Sequence, residues 1–209
     1  MSACRQLIME EQAAIYRQLL TNRNGTRDAA WFTFGCQTGF RISEVLSMRR
    51  RHIIDDTGQL RRHVTLQTKT RKPRTVVLTP GTKRIMRTWL AQLETMGYVR
   101  RHDFVFQSSR KGNVALSRSV ACRIIKAAAR ACDIGGQIGT HCMRKTFAHA
   151  VHGRALQALR EGENVDPLLY TALALGHANV RNTLKYLRLH ELWVEKVLLE
   201  IGDAWQGVM

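Results

Sequence analysis

The sequence predicts a mostly α-helical α+β fold with one small antiparallel sheet. Three observations carry that expectation. Apolar residues recur at helical spacing through most of the 209 residues. Two β-branched runs flank a single polar turn, and there the helical period gives way to a hairpin pattern. Two of the three prolines directly follow a capping residue, at Thr79-Pro80 and Asp166-Pro167, where proline opens a helix instead of breaking one.

Each element follows in order. Residues 10–20 place Ala13, Ala14, Ile15, Leu19 and Leu20 at helical spacing, and residues 27–36 continue with Ala29, Ala30, Phe32 and Phe34 before the breaker Gly39. His63-Val64-Thr65-Leu66 and Thr75-Val76-Val77-Leu78 read as strands around the polar turn 68–73. Thr79 caps a helix that runs to about residue 96, and Phe104-Val105-Phe106 reads as a short buried strand. Residues 117–132, 141–159, 167–175, 180–187 and 191–201 read as further helices. In the helix over 117–132, Arg123, Lys126 and Arg130 lie opposite Val120, Ile124 and Ala127/Ala128, a division that leaves Ile125 unaccounted for.

Composition bounds the function. A hydrophobic fraction of 44% can fill an ordinary core, while 33 Lys+Arg against 16 Asp+Glu leave a charge of +17. That surplus is spread in short clusters, such as Arg49-Arg50-Arg51 and Arg71-Lys72-x-Arg74, and points first to a nucleic acid. No apolar run is long enough to cross a membrane, and Arg5, Glu10, Glu11 and Arg17 interrupt any signal-peptide core. The five cysteines are scattered and never spaced C-x-x-C, which fits reduced thiols in a cytoplasmic protein. His141, His149 and His152 lack the carboxylate or cysteine that would complete a metal set, so no metal is expected. With no repeat and no linker, one domain over residues 1–209 is the simplest organisation.

Four separated segments carry the chemistry. Thr38-Gly39-Phe40-Arg41-Ile42-Ser43-Glu44 sets an arginine just after a turn, at a helix start. The hairpin turn presents Lys69 in Thr68-Lys69-Thr70-Arg71-Lys72-Pro73-Arg74. His141-Cys142-Met143-Arg144 puts a histidine and an arginine three apart on one helix face. Leu175-Gly176-His177 is followed nine residues later by Tyr186.

In this order the motifs resemble the tyrosine recombinase family, the phage-integrase-type recombinases, over roughly residues 10–190. Singly each motif is weak; jointly, with the tight His177-to-Tyr186 spacing, they are specific. The resemblance implies the integrase catalytic-domain fold and a nucleophilic Tyr186 that forms a phosphotyrosyl bond to a DNA 3′ end. Arg41 and Arg144 would fork onto the phosphate oxygens, which suits guanidinium better than ammonium. The family's hairpin lysine is its general acid, a role that falls to Lys69, with Lys72 three residues on as the alternative. His141 matches the residue that takes the tyrosine's proton or contacts the phosphate. His177 matches a phosphate hydrogen-bonder, and Glu44 an acid that orients basic neighbours. Arg71, Lys72, Arg74, Arg123, Lys126 and Arg130 are the expected DNA-positioning residues.

The resemblance requires no cofactor and no metal. Its implied partners are double-stranded DNA, three further copies of the chain around paired sites, and an accessory DNA-bending protein, with no membrane. The motifs begin almost at once, so the expectation is a short single-domain member or a fragment lacking the N-terminal core-binding domain. The stretch from Arg144 to His177 is longer than the family's, which places an extended helix or loop at residues 155–166. The apolar surface of residues 191–209 packs either on the chain's own core or on a neighbouring protomer. The competing functional readings are a topoisomerase-like nicking and rejoining enzyme and a DNA-binding regulator that no longer turns over.

Overall fold

The computed structural model describes residues 4–67, 72–109 and 112–187, and for Lys185 and Tyr186 the helical backbone. Helix α1 (Met9–Leu20) buries Ile15 and Leu19, one turn apart, and Glu11 turns back to accept from the Ile8 N–H at 3.1 Å. Helix α2 (Gly25–Thr38) is buried nearly all round, with Ala29, Ala30, Trp31 and Phe34 fully enclosed, and packs between α1 and α5 (Pro80–Thr95). Its first turn is fixed by a buried Arg27–Asp28 ion pair at 2.7 Å. Both charges find further hydrogen bonds, Arg27 donating to the Gln107 carbonyl and Asp28 accepting from the Trp31 indole at 3.2 Å, which offsets their desolvation. The helix outlasts the expected residue 36 because nothing in Gln37-Thr38 forbids helical backbone; it ends at Gly39, which adopts the left-handed conformation at φ +62°.

Two short helices follow, α3 (Ile42–Leu46) and α4 (Arg50–Ile53). The second was not foreseen, because four residues carry no readable period. Its Arg50 is buried in an ion pair with Glu94 at 2.7 Å, and Arg49 lies 4.0 Å over the Phe104 ring. Part of that basic cluster therefore serves the fold. Strands β1 (His63–Gln67) and β2 (Pro73–Val77) form the expected hairpin, with Val64 opposite Val76 and Leu66 opposite Arg74. Val64, Leu66 and Arg74 are its buried positions.

Thr79 caps α5, its hydroxyl accepting from the Thr82 N–H at 3.2 Å. The buried strand expected at residues 104–106 is a correction: those residues make no ladder. The Val105 N–H donates to the Met48 carbonyl at 2.9 Å, the Val105 carbonyl accepts from the Trp89 indole at 2.7 Å, and the Phe106 carbonyl accepts from the Leu116 N–H at 2.8 Å. Their backbone groups are satisfied one at a time by three different neighbours, so the burial is real and the strand is not.

Ser117 caps α6 (Arg118–Ala131) by accepting from the Val120 N–H at 3.3 Å. The helix turns Ala121, Ile125, Ala128 and Ala129 inward, which resolves Ile125: it sits mid-face, with Val120 and Ile124 half-buried at its flanks and Ala127 outside. Arg123, Lys126 and Arg130 are exposed.

The chain divides into two compact units, Met1–Phe147 and Ala148–Met209, and helix α7 (His141–Arg160) begins in the first and ends in the second. The extra length at 155–166 is largely this helix, continued to Arg160. In the second unit Asp166 caps α8 (Pro167–Leu175), accepting from the Leu168 and Leu169 N–H groups at 2.8 and 3.0 Å. Gly176 ends α8 in the left-handed conformation, and α9 (Arg181–Leu187) follows. The helix expected at residues 191–201 lies outside the described residues, and no described helix is long and apolar enough to cross a membrane.

Candidate active site

The first unit gathers its site around the end of α2. Helix ends leave carbonyls without intrahelical partners, and their partial negative charge favours cations. Here two guanidiniums supply both needs. Arg74, from β2, donates to the Thr38 carbonyl, and Arg144, from the first turn of α7, donates to the next carbonyl, Gly39. Gly39 is demanded twice over, by its positive φ and because a Cβ there would overlap the Phe147 ring.

Beyond the turn, Arg41 takes extended backbone and heads α3. Glu44 holds it by two bonds: one carboxylate oxygen accepts from the Arg41 N–H at 2.8 Å, the other from its guanidinium at 3.1 Å. The Glu44 side chain is 5% exposed and that of Arg41 is 30% exposed, so the carboxylate lies behind the guanidinium and leaves its outer side to solvent. Arg144 is 1% exposed. His141 is solvent-accessible at the start of α7, with its ring partly enclosed.

Electrostatics tie these groups together. Burial first, then Arg144 and Arg41, push the Arg74 guanidinium down to about 10 against the pull of Glu44. His141 is held below its ordinary 6.5, first by desolvation, then by Arg144, Lys145 and Arg41. At neutral pH the neutral imidazole is favoured and can accept a proton. Arg41 and Arg144, with Arg74 behind them and one carboxylate relieving the repulsion, suit an anion, and the guanidinium fork suits phosphate.

The second unit positions its own pair of motifs. Leu175 is buried, Gly176 reverses the chain, and the His177 N–H closes the turn on the Ala172 carbonyl at 2.9 Å. The half-buried His177 ring lies 2.9 Å from the hydroxyl of Thr183, a fully buried residue of α9. Tyr186 stands three residues further along the same helix. Histidine and tyrosine motifs are thus joined by one short turn-and-helix unit.

The structure brings Arg41, Glu44, His141 and Arg144 together in the first unit. Lys69 and Arg71, with the Tyr186 side chain, lie outside the described residues. Lys72 is exposed. Arg74 is 7% exposed and faces inward. Extending the strand alternation back from Leu78 through Val76 to Arg74 was the signal that could have placed it. Thr183 and the buried Lys145 were missed, since neither belongs to a motif of its own. Among the described residues no three His, Cys, Asp or Glu side chains are arranged to hold a metal ion.

Comparison with known proteins bears on this geometry. The phage integrase family profile matches residues 6–192. The chain is 27% identical to the probable integrase/recombinase YoeC of Bacillus subtilis, over 84% of each protein. It is 29% identical to tyrosine recombinase XerD of Chlorobaculum tepidum, over 82% of this chain and 51% of that one, so it spans about half of that relative's length. Among solved structures, the XerH site-specific recombinase in its post-cleavage complex superposes with a TM-score of 0.67 at 18% identity, over 94% of this chain and 53% of that one. The chain belongs to the phage integrase family, the tyrosine-type site-specific recombinases.

Proposed function

We propose that this chain cleaves and rejoins DNA at specific sites through a transient 3′-phosphotyrosyl bond on Tyr186. The observation that supports this best is the gathering of Arg41, held by Glu44, and Arg144, held on the Gly39 carbonyl, around a His141 in a state able to accept a proton. XerH, which shares the fold, was solved bound to its palindromic difH substrate, and double-stranded DNA is the partner proposed here.

The chemistry balances without an outside energy source. The Tyr186 oxygen attacks phosphorus and its proton passes to His141. Arg41 and Arg144 neutralise the non-bridging oxygens as charge grows there, and His177 adds a hydrogen bond. The bond from phosphorus to the 5′ oxygen breaks, and that oxygen takes a proton from Lys69. A 5′ hydroxyl from a second duplex reverses these steps. Two sequential exchanges through a Holliday junction recombine paired sites held by four copies of the chain, with an accessory DNA-bending protein helping to shape the assembly. Exposed Lys72, Arg123, Lys126 and Arg130, together with Arg71, position the duplex.

The test uses a pool of short duplexes with a randomised centre, each nicked so that cleavage releases the downstream fragment and traps the protein. The expected result is a denaturant-resistant adduct that enriches one sequence and is lost in Tyr186→Phe. An adduct that survives Tyr186→Phe refutes the nucleophile. Equal trapping of all sequences, with relaxation of plasmids that lack any enriched site, would favour a topoisomerase instead.

A further inference from the structure

The turn from Thr38 to Arg41 reverses direction at Gly39, and groups from other elements hold its place. Arg144 takes the Gly39 carbonyl. Arg74 takes the residues on both sides: it donates to the Thr38 carbonyl and lies 4.5 Å from the centroid of the Phe40 ring. The ring of Phe147 is 5.6 Å from it, the same ring that closes over Gly39. We propose that Arg74 is a positioning residue for strand cleavage, holding the 38–41 turn from beneath so that Arg41 and Arg144 meet the same phosphate. This role rests on the recombinase reading and specifies what one further residue does in it.

First, place: Arg74 occupies an inward position of β2 opposite Leu66 and is 7% exposed, so it reaches the turn and not the outer face of a duplex. Second, cost: a buried cation beside Arg41 and Arg144 is repelled by both, and Glu44 is the carboxylate that relieves it. An unbranched apolar residue of similar length would fill the space without that desolvation, though it would leave the Thr38 carbonyl without its donor. Third, shape: one planar guanidinium can donate to a carbonyl in its plane while stacking a face on an aromatic ring, which an ammonium cannot do at once.

Arg74→Lys and Arg74→Met in the full chain test the role by three measurements. They are the melting temperature, the salt dependence of binding to a random-sequence duplex, and single-turnover adduct formation on the duplex enriched from the pool. The expected result is a plateau cleavage rate lowered roughly 10- to 100-fold, more for methionine than for lysine. The half-saturating concentration and the salt slope stay near those of the wild type in both variants, and the melting temperature does so for lysine, which keeps a donor for the Thr38 carbonyl. Wild-type cleavage in either variant overturns the proposal. So does a salt slope flattened by about 0.9, the mark of a direct phosphate contact, or a loss of melting temperature that accounts for the loss of cleavage in both variants. Failure of the wild type itself to form an adduct overturns the recombinase reading, whereas the slope and melting results bear on Arg74 alone.

Discussion

Gly39→Ala is the sharpest probe of how this site is built, because two independent strains fall on one methyl group. The first is backbone: at φ +62° an L side chain costs about 1–2 kcal/mol. The second is steric: the new Cβ overlaps the Phe147 ring at three of its carbons, and forcing an extra carbon into a packed place costs about 1–3 kcal/mol. Together they predict a loss of about 2–5 kcal/mol, a large share of an ordinary domain's stability. Urea unfolding gives the number directly from the midpoint and slope. The two strains separate in a double-mutant cycle. In a Phe147→Ala background the steric part disappears, and Gly39→Ala should cost only the backbone part. A cost below about 0.5 kcal/mol in the wild-type background would refute the reasoning. Equal costs in both backgrounds would remove Phe147 from it. Because the Gly39 carbonyl also accepts from Arg144, the surviving folded protein should lose cleavage rate more than DNA affinity.

Four further outcomes are expected. His141 is held below 6.5, so the unfolded chain binds more protons than the folded one just below that value; stability should decline as pH falls from about 6.5, and cleavage should decline at lower pH, as the folded His141 takes up its proton. Arg41→Met should raise the His141 titration midpoint measured by NMR, and no upward movement would contradict the proximity of these two groups. Arg123→Ala with Lys126→Ala should flatten the salt dependence of duplex binding by about 1.8, at roughly 0.9 per phosphate contact, and leave the saturated cleavage rate unchanged; an unchanged slope would take α6 off the DNA. Asp166→Ala should cost about 1 kcal/mol and speed hydrogen exchange at Leu168 and Leu169, the two amides it caps.

Local signals were read well because local physics sets them. Thr79, Ser117 and Asp166 cap the helices that follow them, and Gly39 and Gly176 stop helices by adopting φ values that other residues resist. The hairpin followed from two β-branched runs around one polar turn. What was misread depended on partners distant in sequence. Residues 104–106 look like a strand because they are apolar and largely buried, yet among the described residues their pairing stops at one isolated bridge, from Phe104 to Arg49. Ile125 looked out of place until the packing showed which arc of α6 faces inward. Arg50 and Arg74 sat in clusters that read as basic surface, yet both are buried.

The sequence by itself determined the order of the motifs and the spacing that brings His177 and Tyr186 into one turn-and-helix unit. It also determined the residue types able to bind and cleave a phosphodiester, since caps, periods and chemical type are properties of short stretches. Only the tertiary structure decided which of the 33 basic residues gather at the end of α2. Arg74 reaches the Thr38 carbonyl across 36 positions of sequence, and Arg144 reaches Gly39 across 105. The reason is physical: a guanidinium's role follows from the carbonyls, rings and charges that share its desolvated space, and residues far apart in the chain supply them.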